Sequence, residues 1–502
     1  MVEAESVYGW ACVSLTCVVA VLFRWSVALG SYSGFAKPPM YGDFEAQRHW
    51  MEITVHLPIE EWYKNSSRNN LSYWGLDYPP LTAYHSWIMG KVAQQSNTSW
   101  VALFDSRGIE TYEHKVFMRY TVLISDLLFL FPAVVLFVLN FQNLRGSLTS
   151  KCTMLASHLL YPGMLLIDHG HFQYNCVSLG LFLWAVILSL AGRHVIGAVL
   201  FVFALNYKQM ELYHSLPFFC FLAGSALVLP SIGAKFMRLL SLSIAVLVSF
   251  AVVWMPFLHS SVLSFQVLRR LFPFARGIFE DKVANFWCAS SVLIKWKQIF
   301  EAATLVQLCA AVTLLSVAPS CLMLLWHPTK HQFKLALINS ALAFFLFSYQ
   351  VHEKSILLAA FPALLVIHEE ALWSAWMLMI SCISLYPLMV KDDLILAFWA
   401  LIPFYYFWLC DIFRLSSIFE YGTKKGQSKK LRYSRVSFHV SVWTSCFLCV
   451  CTHLIPAPHR WPDLWPVANS IYCCLHFLLF LLYFNYRQLI SFKSTRRKGK
   501  ME

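Results

Sequence analysis

Charge is what this sequence has least of. Asp, Glu, Lys and Arg make up 13% of its 502 residues, against 58% hydrophobic. A soluble globular domain carries about a quarter charged residues, so that class is excluded. Acid is scarcer than base, 26 residues against 39, leaving a formal net charge of +13. The bases gather in a few loops and the tail, as the positive-inside rule of polytopic membrane proteins requires, so no nucleic-acid partner is expected. A cysteine framework is missing too: the 15 cysteines are mostly scattered singly through apolar stretches, and Cys473-Cys474 lies inside one. Neither a disulfide set nor a zinc site follows. There is no strong internal repeat and no low-complexity linker. The first apolar run, 8–29, contains Arg24 and is followed by no small-residue cleavage site, so a retained anchor is expected.

What is present is hydrophobic length. Mean hydropathy is +0.58, and a bilayer core of about 30 Å needs roughly 20 apolar residues per helix. About fourteen stretches are expected to cross, at 8–29, 117–139, 152–167, 176–192, 195–206, 212–230, 237–257, 302–326, 333–349, 355–368, 371–390, 394–413, 437–454 and 466–486. The expected fold is therefore an all-α polytopic membrane protein. An even count puts both termini on one side. Lys424, Lys425, Lys429, Lys430 and Arg432 in one loop, and Arg496, Arg497, Lys498 and Lys500 in the tail, fall on that side, which the charge rule makes the cytosol. The other side receives the loops 30–115, 168–175, 207–211, 258–301, 350–354, 391–393 and 455–465. The first of these carries three glycosylation sequons, at Asn65, Asn70 and Asn97, in agreement with a lumenal location. The final Lys498-Gly499-Lys500-Met501-Glu502 resembles a dilysine retrieval signal of the endoplasmic reticulum; a plain topology anchor is the alternative.

The dense polar motifs share the expected lumenal side. They are the segment 31–80, Asp168-His169-Gly170-His171-Phe172-Gln173-Tyr174-Asn175, the run from Asn206 to Glu211, the run 269–282, and Gln350-Val351-His352-Glu353-Lys354. Ionisable groups at membrane depth are costly and default to a functional role; gathered on one leaflet, they point to a site at that interface and not to a transport path. In the first segment Pro38-Pro39 stops a helix and Gly42-Asp43 offers a turn and an N-cap. Phe44, Met51 and Val55, with Trp50 and Ile53, then form an apolar stripe. This predicts a short amphipathic helix on the membrane surface, with Asp43 exposed at its start. Alternatives stay open. Asp43 is a cap, a catalytic acid or both. Asp77, before Tyr78-Pro79-Pro80, is a turn former or a second acid. His169 and His171 ligate a metal with Asp168, or hydrogen-bond a neighbouring helix. Lys354 snorkels or serves the site, and Arg24 and Asp126 form a pair inside the bundle. A transporter would carry mid-bilayer charge and two related halves, of which Arg24 and Asp126 are the only hints. A non-catalytic scaffold would tolerate loss of Asp43.

The runs GDFEAQRHWMEIT from Gly42, YWGLDYPPLTAYHS from Tyr73, DHGHFQYN from Asp168, NYKQMELY from Asn206, RRLFPFARGIFEDKVANFWC from Arg269 and QVHEKSIL from Gln350 carry a resemblance. In the same order they resemble the dolichyl-phosphate-glucose-dependent α-1,3-glucosyltransferases of the endoplasmic reticulum. The likeness spans roughly residues 24–360 and weakens beyond. Gln47-Arg48-His49-Trp50 after Asp43-Phe44-Glu45-Ala46 resembles the branch that adds the first glucose, with the second-glucose branch as the alternative.

The resemblance implies an inverting glycosyltransferase of the GT-C class, with a constant N-terminal module, here 1–301, and a variable C-terminal module, 302–502. It implies transfer of glucose from dolichyl-phosphate-glucose to the terminal mannose of a nine-mannose oligosaccharide on dolichyl diphosphate, at the lumenal face. Asp43 is the implied catalytic carboxylate. The donor phosphate is assigned to His352, Lys354 and Arg276. Acceptor and sugar contacts are assigned to Glu45, Arg48, Trp50, Trp74, Asp77, His169 and His171, with Tyr73 and Trp287 as further stacking surfaces. The loop 269–282 would close as a lid. The expected partners are the two lipid-linked substrates and the bilayer; a monomer suffices. No cofactor is expected. No Asp-x-Asp pair faces the expected lumen, so no divalent metal is expected either. The chemistry agrees: a single in-line displacement needs one carboxylate on the acceptor's side. The phosphate leaves as a stable anion, so one base plus cations suffices.

Overall fold

The computed structural model describes residues 2–142, 148–272, 282–416 and 429–498, and their regular structure is helical. Five N-terminal elements position the site: α1 (Val2–Ala28), α2 (Asp43–His56), α3 (Pro80–Ser96), α4 (Tyr112–Asn140) and α5 (Leu148–Leu159). Local sequence explains their starts. Pro80 opens α3, where its missing N–H has no helical partner to lose. Thr111 caps α4 by accepting from the His114 N–H at 3.4 Å, and Ser231 caps Ile232–Leu258 by accepting from Ala234 at 3.2 Å.

Each of the fourteen apolar stretches contains a helix. Among the described residues, eight helices are long and apolar enough to cross a membrane, and Asn175–Leu190 and His194–Tyr207 are shorter apolar helices. The protein is a multi-pass membrane protein. The short helix Ile356–Leu365 is buried at every residue, so neighbours and not lipid cover it. Ala302–Trp326 and Lys330–Phe347 both pack on Leu212–Leu227, which joins the segments before and after residue 301.

The first helix ends at Ala28, within a residue of the expected bound of the first stretch. One expectation changes: α2 does not lie on a surface, since every residue from Phe44 to Thr54 is buried. Its polar face can be buried because it is internally neutralised, as described below. The stretch 152–167 is also broken. After α5, Pro162 starts a new turn, and Leu165–Phe172 winds as a π-helix, a form often found at functional sites.

The expected pair in the bundle is present. The Arg24 Nε–H donates to Asp126 Oδ2 at 2.5 Å, and Arg24 Nη1 donates to the carbonyls of Ala20 (3.1 Å) and Leu159 (2.8 Å). Tied to α1, α4 and α5 together, this buried charge is matched rather than stranded.

Candidate active site

At one end of the bundle, the segments around Ser33–Asp43, Leu71–Tyr78, His171, Lys208, His352–Lys354 and Leu388–Asp392 enclose a cavity of about 650 Å³. These are the connections that the polar motifs mark in the sequence. Backbone strain gathers here as well: Tyr41, Trp74 and Gln350, which line the cavity, have φ of +58°, +47° and +57°. Such conformations persist where surrounding structure enforces them.

Asp43 stands at the first turn of α2. It is not the cap. That position belongs to Gly42, where a Cβ would meet Ser33 Oγ at 2.4 Å and the Gly34 nitrogen at 2.7 Å. The close approach lets Ser33 Oγ accept from the Asp43 N–H at 3.1 Å. With its own N–H satisfied from outside, the carboxylate is free to point elsewhere. Its side chain is 22% exposed, and Oδ2 takes three donors: His171 Nε2 at 2.9 Å, Gln173 Nε2 and Lys354 Nζ. Oδ1 takes no hydrogen bond among the described residues, and Asp43 lines the cavity. Burial alone would raise this carboxyl. Lys354 and His171 more than offset it and hold Asp43 well below the usual carboxylate range.

The other expected site residues divide. Trp74, Asp77, His171, His352 and Lys354 line the cavity. Trp50 lines it too, but is buried, with its indole N–H on the Trp74 carbonyl at 2.8 Å. Lys354 is not free for a phosphate in this state, since it pairs with Asp43; burial would lower it, but Asp43 and Glu353 more than offset this and hold it above its ordinary value. His169 turns away. Its Nε2 meets Asp126 Oδ2 at 2.9 Å inside the bundle, and Phe172, at φ +89°, reverses the chain so that His171 and Gln173 both reach Asp43. Asp168 accepts from the Asn175 side chain at 2.7 Å and the Cys176 N–H at 2.6 Å, so these residues form no metal triad. Among the described residues no cluster of three His, Cys, Asp or Glu is placed to hold a metal.

Glu45 and Arg48 do not reach the cavity. Arg48 is fully buried and donates to Glu45 Oε2 at 2.8 Å, Glu45 Oε1 at 2.7 Å, Glu52 Oε2 at 2.7 Å and Ser106 Oγ. The Tyr73 hydroxyl completes the cluster on Glu45 at 2.8 Å. Two acids around one guanidinium allow the polar face of α2 to be packed inside the protein. Trp287, 1% exposed with its N–H on the Phe347 carbonyl at 2.8 Å, is a core residue and not a sugar platform. Arg276 and most of the loop 269–282 lie outside the described residues. The sequon asparagines Asn65, Asn70 and Asn97 are exposed.

Gln173, Lys208 and Asp392 were missed as site residues. Gln173 and Lys208 lay inside motifs already singled out. Asp392 had one signal: an adjacent acidic pair, Asp392-Asp393, in a short expected lumenal connection of an acid-poor chain.

Comparison with known proteins identifies the family. The model of the ALG6, ALG8 glycosyltransferase family matches residues 20–483, so the likeness runs well past residue 360. The chain is 47% identical to a Gallus gallus protein named dolichyl pyrophosphate Man9GlcNAc2 alpha-1,3-glucosyltransferase, over 98% of this chain and 99% of the relative. It is 43% identical to the Mus musculus protein of the same name, over 98% and 100%. A Drosophila melanogaster relative, named as a probable enzyme of that kind, is 43% identical over 93% and 96%. A match across nearly the whole length, joined to a carboxylate held by cations in a cavity at one end of a helical membrane bundle, places this chain in the ALG6, ALG8 glycosyltransferase family.

Proposed function

We propose that the protein transfers glucose from dolichyl-phosphate-glucose to the terminal mannose of a dolichyl-diphosphate-linked nine-mannose oligosaccharide, forming an α-1,3 bond with inversion. The reaction takes place on the lumenal face of the endoplasmic reticulum, with both termini in the cytosol. The observation that carries this reading is the Asp43 carboxylate, clamped at Oδ2 by Lys354, His171 and Gln173 and, among the described residues, unbonded at Oδ1. Oδ1 takes the proton of the attacking mannose hydroxyl. Because Asp43 is held below the usual carboxylate range it is a weak base, and accepts the proton late, as the new bond forms. Lys354 carries three N–H donors. It turns part of this capacity to the departing phosphate, which loosens its hold on Asp43 and strengthens the base as the leaving group departs. His352 and Lys208 also line the cavity and add polar and cationic contacts. Relatives named for a Man9GlcNAc2 acceptor favour the first-glucose step over the second.

The test is transfer of labelled glucose by the purified protein in lipid nanodiscs, with Asp43→Asn alongside. Loss of a general base predicts a fall in kcat of about 10²–10⁴-fold with donor binding retained. Near-normal turnover by the variant would remove Asp43 from the role. No transfer by the wild type to the nine-mannose acceptor would overturn the function itself.

A further inference from the structure

We propose that Asp392 is a positioning residue: it holds His171 as an imidazolium, and His171 in turn clamps Oδ2 of Asp43 so that Oδ1 is presented to the acceptor hydroxyl. This rests on the base role proposed for Asp43.

The argument begins with the two ring nitrogens. Nδ1 of His171 lies 2.5 Å from Asp392 Oδ2, and Nε2 lies 2.9 Å from Asp43 Oδ2. An ionised carboxylate only accepts, whereas neutral imidazole has one N–H. Satisfying both contacts takes two N–H groups, which is the imidazolium. The side chains of His171 and Asp392 are 3% and 1% exposed, so water cannot stand in for either partner. Asp392 also serves the charge balance. Asp43 and Asp392 face His171 and Lys354, whose Nζ stands 3.2 Å from Nε2 of the ring, and Glu353 adds a further negative charge near Lys354. Without Asp392 the imidazolium would share Asp43 with Lys354 and have no carboxylate of its own in a buried site, an arrangement that is disfavoured.

The backbone is shaped to bring the pair together. A Cβ on Gly170 would meet the Leu394 side chain at 2.9 Å, so the residue before His171 packs closely against the side chain two residues after Asp392. Asp393 turns at φ +57°. The charged groups facing His171 are Asp43 from α2, Lys354 before Ile356–Leu365, and Asp392 after Tyr386–Lys391. Arg119 of α4 donates to the carbonyl of neighbouring Gly170 at 2.8 Å. Burial and Lys354 oppose the imidazolium; the two carboxylates more than offset them, and His171 is raised above its ordinary value. For a raised group the charged form is present below the folded value and is lost as pH rises through it. Turnover therefore falls on the alkaline side when the clamp discharges.

The experiment measures kcat and KM of the full chain in nanodiscs from about pH 5.5 to about 9, where histidine titrates. For Asp392→Asn, kcat falls on the order of 10²-fold, as misplacement of a reacting group does. Its alkaline limb moves to lower pH by about 1–3 units, the effect of losing an opposite charge in contact. Asp392→Glu moves the limb back toward the wild-type position. A purely structural aspartate would reduce the yield of active protein and leave the limb where it was; that result overturns the proposal. If Asp392→Asn does not fold, His171→Gln, uncharged at every pH, should turn over slowly with no alkaline limb in kcat, and a persisting limb overturns the proposal equally. Wild-type protein that transfers no glucose at any pH would overturn the function, whereas transfer with an unmoved limb overturns the Asp392–His171 pair alone.

Discussion

Replacing Arg48 by Met tests whether this residue meets sugar or holds α2 together. In the structure Arg48 makes four hydrogen bonds, two to Glu45 and one each to Glu52 and Ser106, and is 0% exposed. Methionine fills much of the volume but satisfies none of these acceptors. Among the described residues Glu45 keeps only Tyr73, at 2.8 Å, while Glu52 keeps His49 at 3.2 Å, the Phe104 N–H at 2.9 Å and the Ser106 hydroxyl at 3.3 Å. Removing one partner of a buried pair costs about 3–5 kcal/mol, because the other charge is left uncompensated. At about 1.4 kcal/mol per tenfold, local opening of α2 becomes roughly 10²–10⁴ times more frequent. Hydrogen exchange of the α2 amides in nanodiscs reads this factor directly.

Acid should act on the same cluster. Burial would raise the Glu52 carboxyl, but His49, Arg48 and the Phe104 N–H lower it from 4.5 to about 2. A lowered acid contributes stability that is complete above the unfolded value and lost as pH falls through the folded one. Exchange of wild-type α2 should therefore not vary with pH through this group down to about 5, and should rise between about 4.5 and 2. Unchanged α2 exchange in Arg48→Met, with a raised KM for the oligosaccharide, would refute the structural role and restore Arg48 as a sugar contact.

Two further outcomes are expected. Trp287→Ala should lower thermal stability by about 3–5 kcal/mol, the cost of emptying a buried tryptophan site, and leave both KM values within about threefold; a raised KM with intact stability would return Trp287 to the sugar site. On a lumenal first loop, Asn97→Gln should remove one endoglycosidase-sensitive mobility step, since the Asn97 side chain is exposed; if none of Asn65, Asn70 and Asn97 carries a glycan, the lumenal placement loses its support.

Much of the fold was legible along the chain, because membrane-crossing helices announce themselves as local runs of apolar residues. The Arg24–Asp126 pair was legible for a related reason: lone charges in apolar spans have few partners to choose from. The cavity's contributors were also marked, since polar residues collected in the connections at one end. Reading α2 as a surface helix failed because an apolar stripe says nothing about what covers the opposite face. Here the opposite face carries Glu45, Arg48 and Glu52, which neutralise one another and so can be packed inside.

The amino-acid sequence by itself determined the class, the helical segments and the acid that the site is built around. Hydropathy is local in the chain, and the motif around Asp43 is contiguous. Only the tertiary structure decided which groups act on that acid. His171, Lys354 and Asp392 come from three separate connections, lying 128 and 311 residues from Asp43 and 221 residues from His171 respectively. Which of two neighbouring histidines faces the cavity depended on one π-helical turn and the reversal at Phe172. Side chains so far apart in sequence meet only through the packing of the helices that carry them, and no local pattern of residues encodes that packing.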